Sequence, residues 1–433
     1  MAPLDQVFGV SSKQVLSYVE RTDVDERFRS AVKGDKQIVV YGASKQGKTA
    51  LVSKHLPYEQ NITVSLTPRT SVLDIYQNIL TQAGVRISSS SSTGSATEQS
   101  ASIGFRVKAI LPFLGGGEAE GKGTTKAGST DEQRFEEVPV NLELPQSVSD
   151  LLKRVKSSKW IILENFHYLD EETQKQFAFD LRAFQELGVR FVILGVWREQ
   201  NRMIQFNGDL LDRLVEVPVE PWTEADFIRV ADKGSAELMV RFAPGLITRA
   251  ISASFSSIGV FQELLKGVCA AAGVVGSAQG YRDIQQMDFL NAAIAAKAND
   301  YASRHQRALE AIAAGHTSGG AKTDLVPLYL PYYLVMVILD AGFDGIANGM
   351  ARADVHERIK KIHHRGEDVR ASDMSNLLYG LGKLQAAKSI SPPILAFDLQ
   401  RRLLQVVDST FYFFIKHADI EEIRDSIANP AVG

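Results

Sequence analysis

One octapeptide constrains this chain more than any other feature. Gly42-Ala43-Ser44-Lys45-Gln46-Gly47-Lys48-Thr49 fits the spelling GxxxxGK[ST] at every fixed position. It follows Gln-Ile-Val-Val-Tyr at 37–41, which reads as a short buried strand, and it opens a helical segment. A phosphate-binding loop requires that context. Gly42 and Gly47 let the backbone curl so that successive N–H groups point at one anion. The helix N-terminus adds partial positive charge. Lys48 is placed to bridge the outer phosphates of a nucleotide, and the Thr49 hydroxyl to ligate Mg²⁺.

Such a loop needs a carboxylate on a second strand to hold the metal through water. Trp160-Ile161-Ile162-Leu163-Glu164-Asn165 supplies four apolar residues ending in Glu164. Further strand patterns at 62–66, 191–195 and 214–219 alternate with helical patterns at 71–83, 147–155 and 171–187. That alternation predicts an α/β fold, a parallel sheet flanked by helices. The core is assigned to 34–222, after an N-terminal segment, 1–33. Within it, 88–129 is a Ser/Gly-rich insert with a serine run at 88–92 and a glycine run at 115–117. Its rough alternation over 103–111 predicts a hairpin with 118–122, whose apolar side packs on a neighbouring subunit or a partner.

After Pro221 the strands are expected to stop. Helical patterns at 223–233, 261–272 and 288–313 predict a helical lid, 223–315. A turn-rich break follows at 316–320. Three helical patterns (331–340, 353–363, 371–384) then precede apolar runs at 394–397 and 403–407, with Asp398, Gln400 and Arg401 as the turn between them. Three helices and a hairpin is the order of a winged helix, assigned to 321–433.

Composition narrows the class. Apolar residues make up 45% of the 433, enough for a real core. The net charge of −3 argues against a globally basic nucleic-acid coat. One cysteine, Cys269, cannot build a disulfide framework and reads as a buried hydrophobe. The apolar stretch 325–339 holds Pro327 and Pro331 and falls short of the roughly 20 residues that span a bilayer. No membrane association and a cytoplasmic location are expected. His167 and Tyr168 follow Glu164 closely enough to face a nucleotide, but histidine is more often simply packed. The basic run Arg358, Lys360, Lys361, His363, His364, Arg365 reads as a solvated helix face.

With these motifs in place, the chain resembles the AAA+/STAND division of P-loop ATPases, especially prokaryotic members with a C-terminal winged helix. Tyr18-Val19-Glu20-Arg21 resembles the segment that lies over the adenine, which implies base contacts for Val19 and Arg21. Arg198, in Leu194-Gly195-Val196-Trp197-Arg198, matches the position of a sensor arginine. Arg213, in Leu210-Leu211-Asp212-Arg213, matches that of an arginine finger acting on a neighbouring subunit. The resemblance implies ATP and Mg²⁺ as ligands, a nucleotide-dependent homo-oligomer, and a protein partner or effector chain. Its implied role is a switch in regulation or antiviral defence.

Two departures qualify that expectation. Asn165 stands where an acid usually orients the attacking water, and an amide cannot accept the water's proton. Slow or absent hydrolysis follows. Residues 259–266 also lack a second sensor arginine, which favours a switch over a motor. Two other readings remain: a DNA-binding AAA+ protein of the initiator, loader or transposition-regulator class, and an interaction module with a degenerate ATP site. Nucleic acid is the less favoured partner. The helix that would enter a groove, 371–384, carries only Lys383 as a base, and Asp373 and Asp398 flank it.

Overall fold

The structure is a computed structural model that describes residues 2–10, 14–88, 106–112, 135–315 and 326–431. Strands are numbered in chain order. The central sheet holds β1 (Gln37–Gly42), β2 (Ile62–Ser65), β6 (Ile161–Glu164), β7 (Phe191–Val196) and β8 (Leu214–Pro218). Their order across the sheet is β2-β6-β7-β1-β8, and every pair is parallel. All carboxyl ends therefore open on one edge. β1 is buried along its whole length, as a strand covered on both faces must be. Val39 and Tyr41 pack on one layer with the helices Val72–Gln82, Pro145–Arg154 and Glu171–Glu186. Ile38 and Val40 pack on the other with Thr22–Lys33 and Lys48–His55. The expected α/β fold, a P-loop sheet flanked by helices, is the one observed.

The insert departs from expectation. β4 (Arg106–Pro112) pairs antiparallel with β5 (Phe135–Asn141), Ala109 opposite Val138, and also with β3 (Arg86–Ser88). The expected partner, 118–122, lies outside the described residues, as does the start of the expected strand at 103–105. Ala109 is fully buried in the same cluster as the core sheet, with Ile87, Val138 and Val140 packed against it. This side sheet is thus an extension of the core.

Strands also recur beyond Pro221. β9 (Val240–Phe242) and β10 (Arg282–Ile284) form a parallel pair among the lid helices Glu224–Leu238, Pro244–Ala253, Ile258–Ala271 and Met287–Ala313. Three residues are too few to show an alternation of period two. The C-terminal part has helices Leu330–Ile346, Arg352–Ile362, Ala371–Tyr379 and Leu381–Ala387, then the hairpin β12 (Leu395–Asp398) and β13 (Leu403–Val406). A short strand β11 (Met350–Ala351) joins β13, giving the small sheet of a winged helix. Asp398 closes the hairpin turn by accepting from the N–H groups of Gln400 and Arg401, both at 2.9 Å.

The helix Ser409–His417 follows. Its Phe411, Phe413 and Phe414 are buried in one hydrophobic cluster shared by the lid and the C-terminal part. That shared core holds the C-terminal part over the carboxyl edge of the sheet. Among the described residues, no helix is long and apolar enough to cross a membrane.

Candidate functional site

The phosphate loop leaves β1, between β7 and β8, at the carboxyl edge. Gly42 has φ +152°, and a Cβ there would lie 2.7 Å from Val219 Cγ2. Gly47 has φ +85° at the N-cap of the helix Lys48–His55. Both glycines are therefore required by backbone conformation, and Gly42 by crowding as well. Lys48 Nζ folds back onto the loop, donating to Gly42 O (3.0 Å) and Ala43 O (2.6 Å). Burial pushes its ammonium down to about 8, and Glu220, Glu164 and Asp408 are the charges that oppose the fall.

Thr49 and Glu164 come together across the sheet. Thr49 Oγ1 donates to Glu164 Oε1 at 3.3 Å, and the Tyr58 hydroxyl donates to the same oxygen. A hydroxyl and a carboxylate are hard oxygen donors, the set that suits Mg²⁺ with phosphates and water completing the shell. Among the described residues, no group of three His, Cys, Asp or Glu side chains offers an all-protein metal cage. Asn165 follows at φ +64°, with Nδ2 3.5 Å from Ser65 Oγ. Glu171 and Glu172 open the next helix, which Asp170 caps, and so take no part.

A carboxylate absent from the sequence reading occupies the loop. Glu220, just past β8, accepts from Ala43 N–H at 2.5 Å, Gln46 Nε2 at 3.2 Å and Arg198 Nη2 at 3.0 Å. Arg198 thus lies at the site, paired with an internal anion. Trp222 Nε1 donates to Gln46 O at 3.3 Å, and its ring lies 3.5 Å from where a Cβ on Gly47 would stand. Arg21 stacks its guanidinium 3.8 Å over that same ring and donates to Val219 O. Arg21 is thereby brought beside the loop through Trp222, and Val19 packs against the lid cluster.

The lid and the C-terminal part grip the loop directly. Gly259 N–H donates to Lys45 O at 3.0 Å, and Gln46 Nε2 donates to Ser256 O at 3.2 Å. Lys45 Nζ reaches the Tyr301 hydroxyl at 3.2 Å, and burial lowers the Lys45 pKa. From beyond the hairpin, Val407 O accepts from Ser44 N–H at 3.1 Å. Ser409 Oγ donates to Ser44 O at 2.8 Å. Two N–H groups of the anion cradle, those of Ala43 and Ser44, are therefore spoken for by the protein itself.

Arg213 lies at the other end of the sheet. Its carbonyl accepts from Gln37 N–H at the start of β1, and its side chain bonds Gln185 and Glu186. It is not brought to this chain's own loop. Glu220, Trp222, Tyr58, Val407 and Ser409 were missed by the sequence reading. The one available signal was position: Val219-Glu220-Pro221-Trp222 ends the strand that turns out to neighbour β1.

No family model and no curated protein matches the chain. Among solved structures it is similar to the ORC1 protein of Aeropyrum pernix, solved in complex with DNA. The identity is 14%, the match covers 96% of this chain and 94% of that one, and the TM-score is 0.42. It is also similar to a Walker-type ATPase of Pyrococcus abyssi, at 10% identity, 92% and 96% coverage, and a TM-score of 0.49. Likenesses this distant carry no functional argument, and the reading rests on the loop and its contacts.

Proposed function

We propose that the chain is an ATP-binding molecular switch. The carrying observation is the double claim on the loop. Ala43 N–H and Ser44 N–H belong to the cradle that would take phosphate oxygens, yet here they serve Glu220 and Val407. Nucleotide phosphates compete with Glu220 for the Ala43 donor and with the docked C-terminal part for the Ser44 donor. ATP binding would free the C-terminal part, and its return would expel or exclude nucleotide. By linkage, each weakens the other's hold by the same factor.

The residues fit the ligand. Gly42 to Thr49 would cradle the phosphates and Lys48 would bridge the outer ones. Thr49 and Glu164 would hold Mg²⁺, which neutralises phosphate charge when bound. Val19 and Arg21 would border the base. Asn165 in the water-orienting position supports slow turnover or none. In the released state, neighbouring subunits would assemble and engage a partner chain, with Arg213 as the contact offered to a neighbour's nucleotide.

The test is molar mass by light scattering, with and without ATP and Mg²⁺, alongside limited proteolysis. ATP should raise the mass and expose cleavage sites between the lid and residue 330. Unchanged mass and an unchanged digest would remove the switch.

A further inference from the structure

The buried polar atoms that lack a partner are not spread evenly. Of the nine among the described residues, six belong to Gln46, His167, Trp197, Arg198 and Arg202. These residues lie on the phosphate loop or just past the carboxyl ends of β6 and β7. A buried donor or acceptor without a partner is costly, so such a cluster points to a group that arrives from outside.

His167 is the clearest case. It sits on the short turn Phe166–Tyr168 after β6. That turn is pinned by Phe166, fully buried with Phe177 and Trp197 around it. The imidazole packs on the Tyr168 ring, centroids 4.2 Å apart. Both ring nitrogens are closed off from solvent, and neither has a partner. A neutral imidazole carries one N–H donor and one acceptor, so both are unused.

The surroundings say which ligand suits it. Burial first, then the positive charges of Lys48 and Arg202, push its pKa down to about 3. The ring is therefore neutral, with two cations near enough to act on it. Arg202 itself is loosely held, by Glu199 at 3.3 Å and Gln174 at 3.4 Å, with its Nε unpartnered. An incoming anion would supply the acceptor that the imidazole N–H and Arg202 Nε lack. It would also offset the two charges. Lys48 is the side chain of the outer phosphates.

We propose that His167 reads the terminal phosphate of the bound nucleotide, donating its ring N–H to a phosphate oxygen, with Arg202 as the second donor behind it. A triphosphate reaches this pair and a diphosphate stops short of it. His167 therefore sets the preference for ATP over ADP. This inference rests on the nucleotide-binding reading above, and it adds a residue that the motifs do not name.

The experiment is calorimetric titration of the full chain with ATP and with ADP, each with Mg²⁺. The parent, His167→Ala and His167→Asn are compared. A hydrogen bond to a charged group corresponds to about 10- to 100-fold in affinity. His167→Ala should lose about tenfold or more for ATP and stay within about twofold for ADP. His167→Asn keeps an N–H donor and should recover part of the loss, which also guards against a variant that fails to fold. Equal losses for both nucleotides, or no loss for either, would overturn the inference and leave the ring nitrogens to bound water. If the parent binds neither nucleotide, the underlying reading fails and takes this one with it.

Discussion

Replacing Glu220 with Gln should tighten ATP binding. The change keeps the shape of the side chain and removes its charge. In this structure the carboxylate accepts three hydrogen bonds, from Ala43 N–H, Gln46 Nε2 and Arg198 Nη2. A bond to a charged acceptor contributes about 1.5–3 kcal/mol, and one to a neutral acceptor about 0.5–1.5 kcal/mol. The carboxamide keeps one acceptor oxygen, so with that oxygen on Gln46 and Arg198 the Ala43 N–H loses its acceptor, and each retained contact weakens by about 1 kcal/mol. The Arg198 pair is partly exposed, with side chains 27% and 20% accessible, and is discounted for screening. About 2 kcal/mol less must then be overcome when phosphates displace residue 220, which corresponds to about 30-fold in affinity. Relief of the repulsion between carboxylate and phosphates acts in the same direction. The assay is calorimetric titration with ATP and Mg²⁺ at pH 7. Glu220 is one of the charges that oppose the fall of the Lys48 ammonium to about 8, so its removal lowers that ammonium further, and the titration is repeated at a lower pH that favours the charged form in both proteins. Unchanged or weaker binding by Glu220→Gln would refute the displacement argument. It would place Glu220 among the groups that hold the nucleotide.

Other substitutions separate the remaining roles. Asn165→Asp should raise steady-state hydrolysis by about 10²–10⁴ with similar ATP affinity; vigorous turnover by the parent would mean that another group orients the water. Arg213→Ala should leave ATP binding intact and reduce ATP-dependent assembly seen by light scattering, whereas full assembly would reduce Arg213 to its local pairing with Gln185 and Glu186. Ala109→Asp should lower stability by about 3 kcal/mol or more, because it buries an unpaired carboxylate in the core cluster. Replacing 113–134 with a short Gly/Ser link should leave the thermal midpoint nearly unchanged, since closure entropy varies only logarithmically with length. A denaturation series on both variants tests that contrast.

The features legible in the sequence are those that a short window encodes. The loop spelling carries its own strand-before, helix-after context, and the apolar run to Glu164 announces a buried strand with a carboxylate at its end. The hairpin 394–407 was readable for the same reason, two apolar runs around a polar turn. Glu220 was not readable, because its role depends on β8 lying beside β1. That pairing joins residues 177 positions apart. The same holds for Val407 and Ser409; the Ser409 contact with Ser44 joins residues 365 positions apart. The partner of β4 was misassigned because Glu136, Glu137 and Pro139 break the apolar alternation of the true strand, Phe135–Asn141. Asn165 marks a limit of another kind. Its identity signals lost base chemistry, but the nearby unpartnered imidazole of His167 became visible only once burial was known.

The central claim is that the loop at 42–49 binds ATP through Lys48, and calorimetry with ATP and Mg²⁺ on the parent and Lys48→Ala tests it most directly. Among the described residues, Lys48 Nζ donates to the loop carbonyls of Gly42 and Ala43, so its loss should spare the fold, which the far-ultraviolet circular dichroism of the variant would verify. The account predicts one saturable ATP site in the parent and none detectable in Lys48→Ala. Equal ATP affinity in the two proteins, or no binding by the parent, would contradict it.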